Sequence, residues 1–343
     1  MFLRNCWYVA AWSAEVGRTP LARTLLGRPV MLYRTVGGEA VALEDRCCHR
    51  SLPLSKGRIE GDHIRCGYHG LKFDRTGTCI EIPGQAHIPP GARVARFPLI
   101  ERWKLLWIWM GATEPDESLL PDWHYIDDPA WLCIIGNGAK PVPMNCNWEL
   151  NNDNLLDLSH VVYVHPTTLG SAGLENFPIR TERFVKSVRM TRWMPDVPPM
   201  PLFARLLDIK GRVDRFQTVD IDLPSHSVVD AGFAPAGKLA IDDDRTDAQR
   251  ACILISATPE TETTSFMFFA QARNFAKDND ELSRIYQQGS KVIFEEDIAI
   301  MEAQQRAAGA LPDAAQIDIN FDAPGLAMRR LVQRYLKKEA SDA

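Results

Sequence analysis

Short runs of alternating hydrophobic and polar residues, separated by turn residues, fill the N-terminal part of the chain. The predicted strands are 6–12, 30–34, 40–43 and 105–109. Such alternation is typical of strands with one buried and one exposed face. Gly37-Gly38 lies between the second and third runs and indicates a hairpin turn. We therefore predict an all-β domain over residues 1–115.

The pattern changes after a connection rich in Pro and Asp, residues 114–129. The predicted helices are 145–164, 279–308 and 327–338, and the clearest predicted strands are 251–256 and 264–269. Several other strand-like runs occur within residues 213–270. Strands followed by long helices favour an α+β domain. We therefore predict that residues 116–343 form an antiparallel sheet with helices on one side, a helix-grip-like arrangement.

Composition sets broad limits on the protein class. A chain of 343 residues exceeds one ordinary core, which favours two domains. The net charge of −5 gives no electrostatic reason to expect binding to nucleic acid or to an anionic membrane. The longest apolar stretch, residues 105–112, is too short to span a bilayer. Eight cysteines spread over this length do not suggest a disulfide framework, so we expect a cytoplasmic protein.

Two motifs in the predicted β domain combine one thiol with one imidazole each: Cys47-x-His49 and Cys66-x-x-His69. A Rieske [2Fe–2S] centre needs two Cys on one iron and two His on the other. A structural zinc site also uses two Cys and two His, but it usually pairs Cys with Cys and His with His. The mixed pairs therefore favour a Rieske cluster, an electron carrier, over zinc.

The sequence around these motifs agrees with that interpretation. Residues 58–65 predict a strand, a turn and a second strand that leads into the second motif. Gly67 and Gly70 flank this motif and would let backbone N–H groups approach the cluster sulfurs. Cys48 lies between two predicted ligands, so we expect its side chain to point away from the cluster.

A second polar segment lies within the predicted helix 145–164. Asn154, Asp157 and His160 follow one another at intervals of three residues, so they would share one helical face. His165 lies off that face, but Pro166 disfavours helical geometry at this position and lets the chain swing His165 towards the same point. Two His and one carboxylate form the facial triad of a non-haem Fe(II) oxygenase, which leaves positions open for O₂.

The third ligand of this site is less clear from spacing. Asp297 is the best candidate, since it lies on an amphipathic helix whose Ile293, Ile300 and Met301 can pack inward. Asp157 and Glu296 are rivals that spacing alone does not exclude. Hydrogen-bonded histidines at a buried helix end are the structural alternative to a metal site.

Together these motifs resemble the oxygenase component of Rieske non-haem iron aromatic oxygenases, and vanillate O-demethylase oxygenases in particular. The resemblance covers the whole chain and is carried by residues 5–10, 66–71, 82–85, 154–158, 272–275, 296–297 and 302–306. It implies a cluster held by Cys47, His49, Cys66 and His69, and a mononuclear Fe(II) held by His160, His165 and Asp297. Relatives usually have Pro where this chain has Cys48.

The resemblance also implies a division of labour between proteins. A separate NAD(P)H-dependent reductase with flavin and iron–sulfur centres would supply electrons to the cluster. A head-to-tail homotrimer would place the cluster of one subunit beside the iron of the next. Asp157 would then bridge His69 of the partner subunit and His160, and Asn154 joins Asp157 as a candidate catalytic residue.

The implied reaction is O-demethylation of a methoxylated aromatic acid such as vanillate, with O₂ consumed and formaldehyde released. Oxidation of another aromatic acid, of the toluenesulfonate or dicamba type, is the alternative. A pure Rieske electron carrier fits less well, because it would need only the first 115 residues. We expect the substrate pocket within residues 215–275, where 228–230 and 253–255 are apolar, and in the last helices. Spacing identifies no residue for the substrate's acidic group.

Overall fold

Antiparallel β-sheets form most of the chain, and two long helices complete its C-terminal part. The computed structural model describes residues 1–166, 176–200, 204, 207–242 and 244–342. The predicted α+β class, with a β-rich N-terminal part and a C-terminal sheet that carries helices, is confirmed.

Eleven short strands make up the N-terminal part. They are β1 (Trp7–Trp12), β2 (Leu21–Leu25), β3 (Arg28–Arg34), β4 (Ala40–Glu44), β5 (Arg58–Glu60), β6 (His63–Arg65), β7 (Lys72–Phe73), β8 (Cys79–Glu81), β9 (Arg96–Phe97), β10 (Leu99–Arg102) and β11 (Leu105–Trp109). They form three sheets, in the orders β2-β3-β4-β9, β5-β6-β7-β8 and β1-β11-β10. The four predicted strands and the hairpin at Gly37-Gly38 are confirmed, and Gly38 takes the positive φ of +87° that this turn requires.

One large antiparallel sheet forms the C-terminal part. Its strands are β12 (Leu132–Ile135), β13 (Val142–Met144), β14 (Ile179–Arg183), β15 (Ser187–Val197), β16 (Val213–Asp222), β17 (His226–Pro235), β18 (Gln249–Pro259) and β19 (Ser265–Arg273). The order is β12-β19-β18-β17-β16-β15-β14, and β13 also pairs with β19. The strands predicted at 251–256 and 264–269 lie in β18 and β19.

Four α-helices accompany this sheet in the described part of the chain. They are α1 (Trp148–Leu155), α2 (Val161–Val164), α3 (Asp280–Ala310) and α4 (Ala323–Asp342). The two long predicted helices are confirmed as α3 and α4. None of the helices in the described residues is both long and apolar enough to cross a membrane.

The single helix predicted over 145–164 is wrong. The structure breaks it into α1 and α2, with a turn between Leu155 and His160. Within this turn, the Asp157 carboxylate accepts hydrogen bonds from the backbone N–H and the hydroxyl of Ser159. Short polar side chains that bond nearby backbone groups compete with the helix in this way.

The two faces of the large sheet have different partners. We call the side covered by α1, α3 and α4 the inner face; it carries Met190, Val219, Val229, Ile253 and Phe269. The opposite, outer face carries Leu254, Phe268 and Ala270. These pack against tryptophans of β1 and β11, so the N-terminal three-stranded sheet lies against the C-terminal one. The boundary at residue 115 stays a prediction.

Candidate metal centres

Two similar loops present the four predicted cluster ligands. In the first, Cys47 and Leu52 close the loop with a backbone hydrogen bond of 2.9 Å. In the second, Cys66 and Leu71 do the same at 2.8 Å. Gly70 has a φ of +75°, a conformation that favours glycine and lets the second loop turn back on itself. The first loop follows β4 and the second joins β6 to β7, so each ligand pair lies on a loop at the end of a strand, as the sequence predicts.

The loops bring the four side chains together in pairs. Both thiols are buried, and Cys66 is a direct neighbour of Cys47. Burial, together with the adjacent Cys66 thiol, raises the pKa of the Cys47 thiol to about 11. The rings of His49 and His69 are exposed, with centroids 4.5 Å apart. Two thiols on the protein side and two imidazoles on the solvent side match the donor set of a Rieske cluster.

Cys48 lies outside this group of four. It is half-buried and packs against the hydrophobic core beneath the loops, next to Cys79. Burial raises the pKa of its thiol, with a further contribution from Cys79. This packing is compatible with the predicted orientation away from the cluster. The approach of loop N–H groups to the cluster sulfurs stays a prediction.

The second candidate centre joins the α1–α2 turn to helix α3. Nε2 of His165 lies 3.0 Å from Oδ1 of Asp297, and Nε2 of His160 lies 3.5 Å from the same oxygen. One potential ligand atom from each residue lies within 4.8 Å of the other two. Asp297 is 7% exposed and His165 is 1% exposed. Within the described residues, two imidazoles and one carboxylate form this group, which suits a non-haem iron with open positions.

Asp297 lies on the buried side of helix α3, and this position points it at the histidines. Phe294 and Met301, one turn to either side, pack into the core, and Phe294 contacts Phe269 of the inner face with ring centroids 4.5 Å apart. Ile300, which the sequence predicts to pack inward, is instead 45% exposed. The helix is therefore rotated so that Asp297 points to the histidines while Ile300 faces outward.

Two polar neighbours hold the predicted ligands in place. The Asn154 side-chain amide donates a hydrogen bond of 3.0 Å to Oδ1 of Asp297. Oε2 of Glu296 lies 2.7 Å from Nδ1 of His165, on the side of the ring away from Asp297. Burial lowers the pKa of His165, but the hydrogen bonds to Asp297 and Glu296 outweigh it and leave this pKa raised. The sequence presents Glu296 as a rival ligand, whereas the geometry makes it a partner of His165.

Asp157 does not contact His160 in this single chain. Its Oδ1 is engaged by Ser159, and the buried Nδ1 of His160 has no hydrogen-bond partner among the described residues. Asn154, Asp157 and His160 also do not share a helical face, because α1 ends at Leu155. Asn154 still reaches the site from α1, and His160 reaches it from the position just before α2.

The predicted pocket segments divide between the two faces of the sheet. Val229 and Ile253 lie on the inner face, which also carries the contacts to α3. Val228 and Leu254 point to the outer face and pack near the tryptophans, and Asp230 is ion-paired there with Arg250. Strands alternate their side chains, so a continuous apolar run cannot supply one pocket wall. Only half of the predicted residues can therefore face the iron site.

Sequence comparison decides the family. Residues 6–98 match the Rieske [2Fe-2S] domain, and residues 144–338 match the vanillate O-demethylase oxygenase C-terminal domain. The chain belongs to the Rieske non-haem iron oxygenases. The toluene-4-sulfonate monooxygenase iron-sulfur subunit of Comamonas testosteroni is 42% identical over 347 residues, which cover 99% of this chain and 98% of that one.

Two further proteins show how far the similarity extends. A vanillate O-demethylase oxygenase subunit of Pseudomonas sp. is 34% identical over 357 residues, covering 100% of this chain and 98% of that one. The crystal structure of dicamba monooxygenase with non-heme iron and dicamba matches with a TM-score of 0.83 at 29% identity, covering 100% of this chain and 99% of that one. The family resemblance is confirmed, and so are the Rieske [2Fe–2S] cluster and the mononuclear non-haem iron as cofactors. This Rieske oxygenase component is therefore an oxidoreductase.

Proposed function

We propose that this Rieske oxygenase oxidises a methyl carbon on an aromatic acid. The observation that carries the proposal is the convergence of His160, His165 and Asp297 in a chain that matches the toluenesulfonate relative from end to end. The relatives are named for a toluene-4-sulfonate monooxygenase and a vanillate O-demethylase, and oxygen insertion into a methyl C–H bond would start either reaction. The proposal therefore covers their shared chemistry.

We assign the residues as follows. Cys47, His49, Cys66 and His69 bind the Rieske cluster, and His160, His165 and Asp297 bind the mononuclear iron. When bound, these groups supply electrons and activate O₂. Asn154 positions the Asp297 carboxylate through its 3.0 Å hydrogen bond. Glu296 fixes the ring orientation of His165 from the other side.

Methyl oxidation of a toluenesulfonate-type acid is our first candidate reaction. It is supported by the 42% identity to the toluene-4-sulfonate subunit, against 34% for the vanillate one. One oxygen atom of O₂ enters the methyl group to give an alcohol. The other oxygen atom takes up two electrons and two protons and is released as water. O-demethylation is the second candidate, favoured by the match of residues 144–338. There the same insertion gives a hemiacetal that releases formaldehyde and a phenol.

The electrons have to come from another protein. We propose a separate NAD(P)H-dependent reductase with flavin and iron–sulfur centres. We further propose a head-to-tail homotrimer in which His69 of the partner subunit reaches Asp157. The buried Nδ1 of His160, which has no described partner, supports a rearrangement of Asp157 towards it in the assembled protein. Eight free cysteines support a cytoplasmic location.

A turnover panel tests the reaction. Iron-loaded protein with a generic reductase and NADH is incubated with 4-toluenesulfonate, 3-methylbenzoate, vanillate and syringate, and the alcohol, formaldehyde and O₂ are quantified. We expect one alcohol formed per O₂ with the sulfonate. The His165→Ala variant should lose turnover and iron but keep the Rieske absorption spectrum. Formaldehyde from vanillate alone would select the second candidate, and no product from any of the four acids would refute the proposal.

A further inference from the structure

Charged side chains are sorted between the two faces of the large sheet. All four acidic residues of β16 and β17 lie on the outer face, at Asp214, Asp220, Asp222 and Asp230. The inner face of β15 and β16 instead carries Arg192, Arg215 and Gln217, which we call the Arg192–Arg215–Gln217 cluster. The acidic residues of β16 and β17 therefore lie on the face opposite to Arg215.

Strand register places the three side chains of the cluster together. Arg192 of β15 is paired directly with Gln217 of β16, and Arg215 lies two residues before Gln217 on the same face. Paired and alternate positions of this kind are roughly 5 to 7 Å apart. Met194 and Phe233, the cross-strand partners of Arg215, are apolar. Arg215 thus lies between apolar cross-strand partners and close to two further side chains that can donate hydrogen bonds.

The environment of Arg215 favours a bound anion. It is 8% exposed, and its guanidinium has no ion pair or hydrogen bond with any residue that the structure describes. Burial alone lowers its pKa, since no carboxylate lies near enough to oppose the effect. The neighbouring Gln217 carries a side-chain amide whose N–H₂ group can donate to the same anion. A buried cation without a counter-charge is costly, so a bound anion would stabilise this arrangement.

Contacts between β19 and α3 relate the cluster to the iron site. Three contacts follow β19 away from Asp297. Phe269 packs against Phe294, Gln271 is hydrogen-bonded to Ser290, and Arg273 is hydrogen-bonded to Ser283. Gln217, Ala231, Ala251 and Arg273 are successive cross-strand partners, so they form one row of side chains across the sheet. Two such rows separate Gln217 from the row of Phe269, or roughly 13 Å along the strands. Helix α1, whose Asn154 bonds Asp297, packs on β18, two strands from β16 or roughly 10 Å across the sheet. The combined separation of roughly 16 Å can be spanned by one para-substituted benzene ring together with an extended Arg or Gln side chain and the iron ligands.

We propose that the Arg192–Arg215–Gln217 cluster binds the acidic substituent of the substrate and so points the opposite methyl group at the iron. The proposal rests on the proposed function and names the residues that give it its preference for acids. A planar guanidinium can bind carboxylate or sulfonate oxygens through two parallel hydrogen bonds. Because the net charge of the chain is −5, the attraction has to be local rather than long-range.

Anaerobic binding measurements test the cluster independently of methyl oxidation. The probes are benzenesulfonate, benzoate and the neutral benzenesulfonamide, none of which carries the methyl group, titrated calorimetrically into holoprotein. We expect the wild type to prefer both anions over the amide. Arg215→Gln and Arg192→Met should each weaken anion binding by at least about tenfold, the loss of one charge-assisted hydrogen bond, and leave amide binding unchanged.

Matched variants separate this role from a structural one. Arg180→Gln removes an exposed arginine from the outer face of the neighbouring strand and should change nothing. Arg215→Lys keeps the charge and should retain the anion preference, and the Rieske spectrum and iron content verify the fold of each variant. Equal wild-type binding of anions and amide, or unchanged anion binding in both arginine variants, would overturn the proposal. Anion preference without turnover of any acid would overturn only the proposed reaction.

Discussion

At the scale of single residues, the candidate iron site depends on His165 being held between two carboxylates. Its Nε2 lies 3.0 Å from Asp297 and its Nδ1 lies 2.7 Å from Glu296. A carboxylate on the far nitrogen fixes the ring and increases its basicity towards a metal. Glu296 therefore supports the metal without binding it, although it precedes the proposed ligand Asp297 directly in the sequence.

The variant Glu296→Gln tests this supporting role. The amide keeps the size of the side chain but removes its charge, so we expect iron to bind about 10-fold more weakly, with the Rieske spectrum unchanged. Retained iron is measured after dialysis against a graded chelator. Glu295→Gln is the matched control. Glu295 is the preceding residue of the same helix, but its side chain is exposed and its ion-pair partner is Lys291, at 3.8 Å. Equal iron retention in both variants would show that Glu296 does not support the metal.

At the scale of elements, sequence patterns predict long regular segments well and short polar ones poorly. Helix α3 extends within a few residues of its predicted limits because its apolar period continues over many turns. The break between α1 and α2 escapes the same analysis, since it depends on local hydrogen bonds that Ser159 donates to the Asp157 carboxylate. Site residues with a motif, such as His160 and His165, are identified from sequence, whereas Arg215 becomes visible only through strand register.

The α1–α2 turn yields a prediction that separates two roles of Asp157. If Asp157 carries electrons between subunits, Asp157→Asn should leave both metal centres loaded and slow single-turnover electron transfer by orders of magnitude. Ser159→Ala removes only the hydroxyl partner within the turn and should leave the rate nearly unchanged. Rapid mixing of reduced, substrate-loaded protein with O₂ measures both rates. Equal slowing in the two variants would indicate that the turn geometry, and not the carboxylate, is what matters.

At the scale of the whole molecule, the N-terminal three-stranded sheet and the large sheet are joined through a buried histidine. Nε2 of His226 donates a 2.9 Å hydrogen bond to the Trp7 carbonyl, and its Nδ1 lies 3.0 Å from the Ser256 hydroxyl. Its ring stands edge-on to Trp107, with centroids 5.1 Å apart. Burial lowers the pKa of His226 to about 4, against the hydrogen bond to Trp7, which raises it.

This histidine makes the stability of the joined sheets depend on pH. Its pKa is about 4 when folded and about 6.5 when unfolded, so the fold favours the neutral ring. The stabilisation is complete above pH 6.5 and is lost as the pH falls towards 4. The unfolding free energy should therefore drop by about 2 kcal/mol between pH 7 and pH 5 because of this ring.

The variant His226→Gln tests this dependence. It keeps a donor and an acceptor but does not titrate, so its unfolding free energy should fall by about 2 kcal/mol less over this range than that of the wild type. Urea unfolding at both pH values measures the difference, with the exposed His124→Gln as a control that should follow the wild type. An identical pH dependence for His226→Gln and wild type would mean that protonation of this ring does not govern how the two sheets hold together.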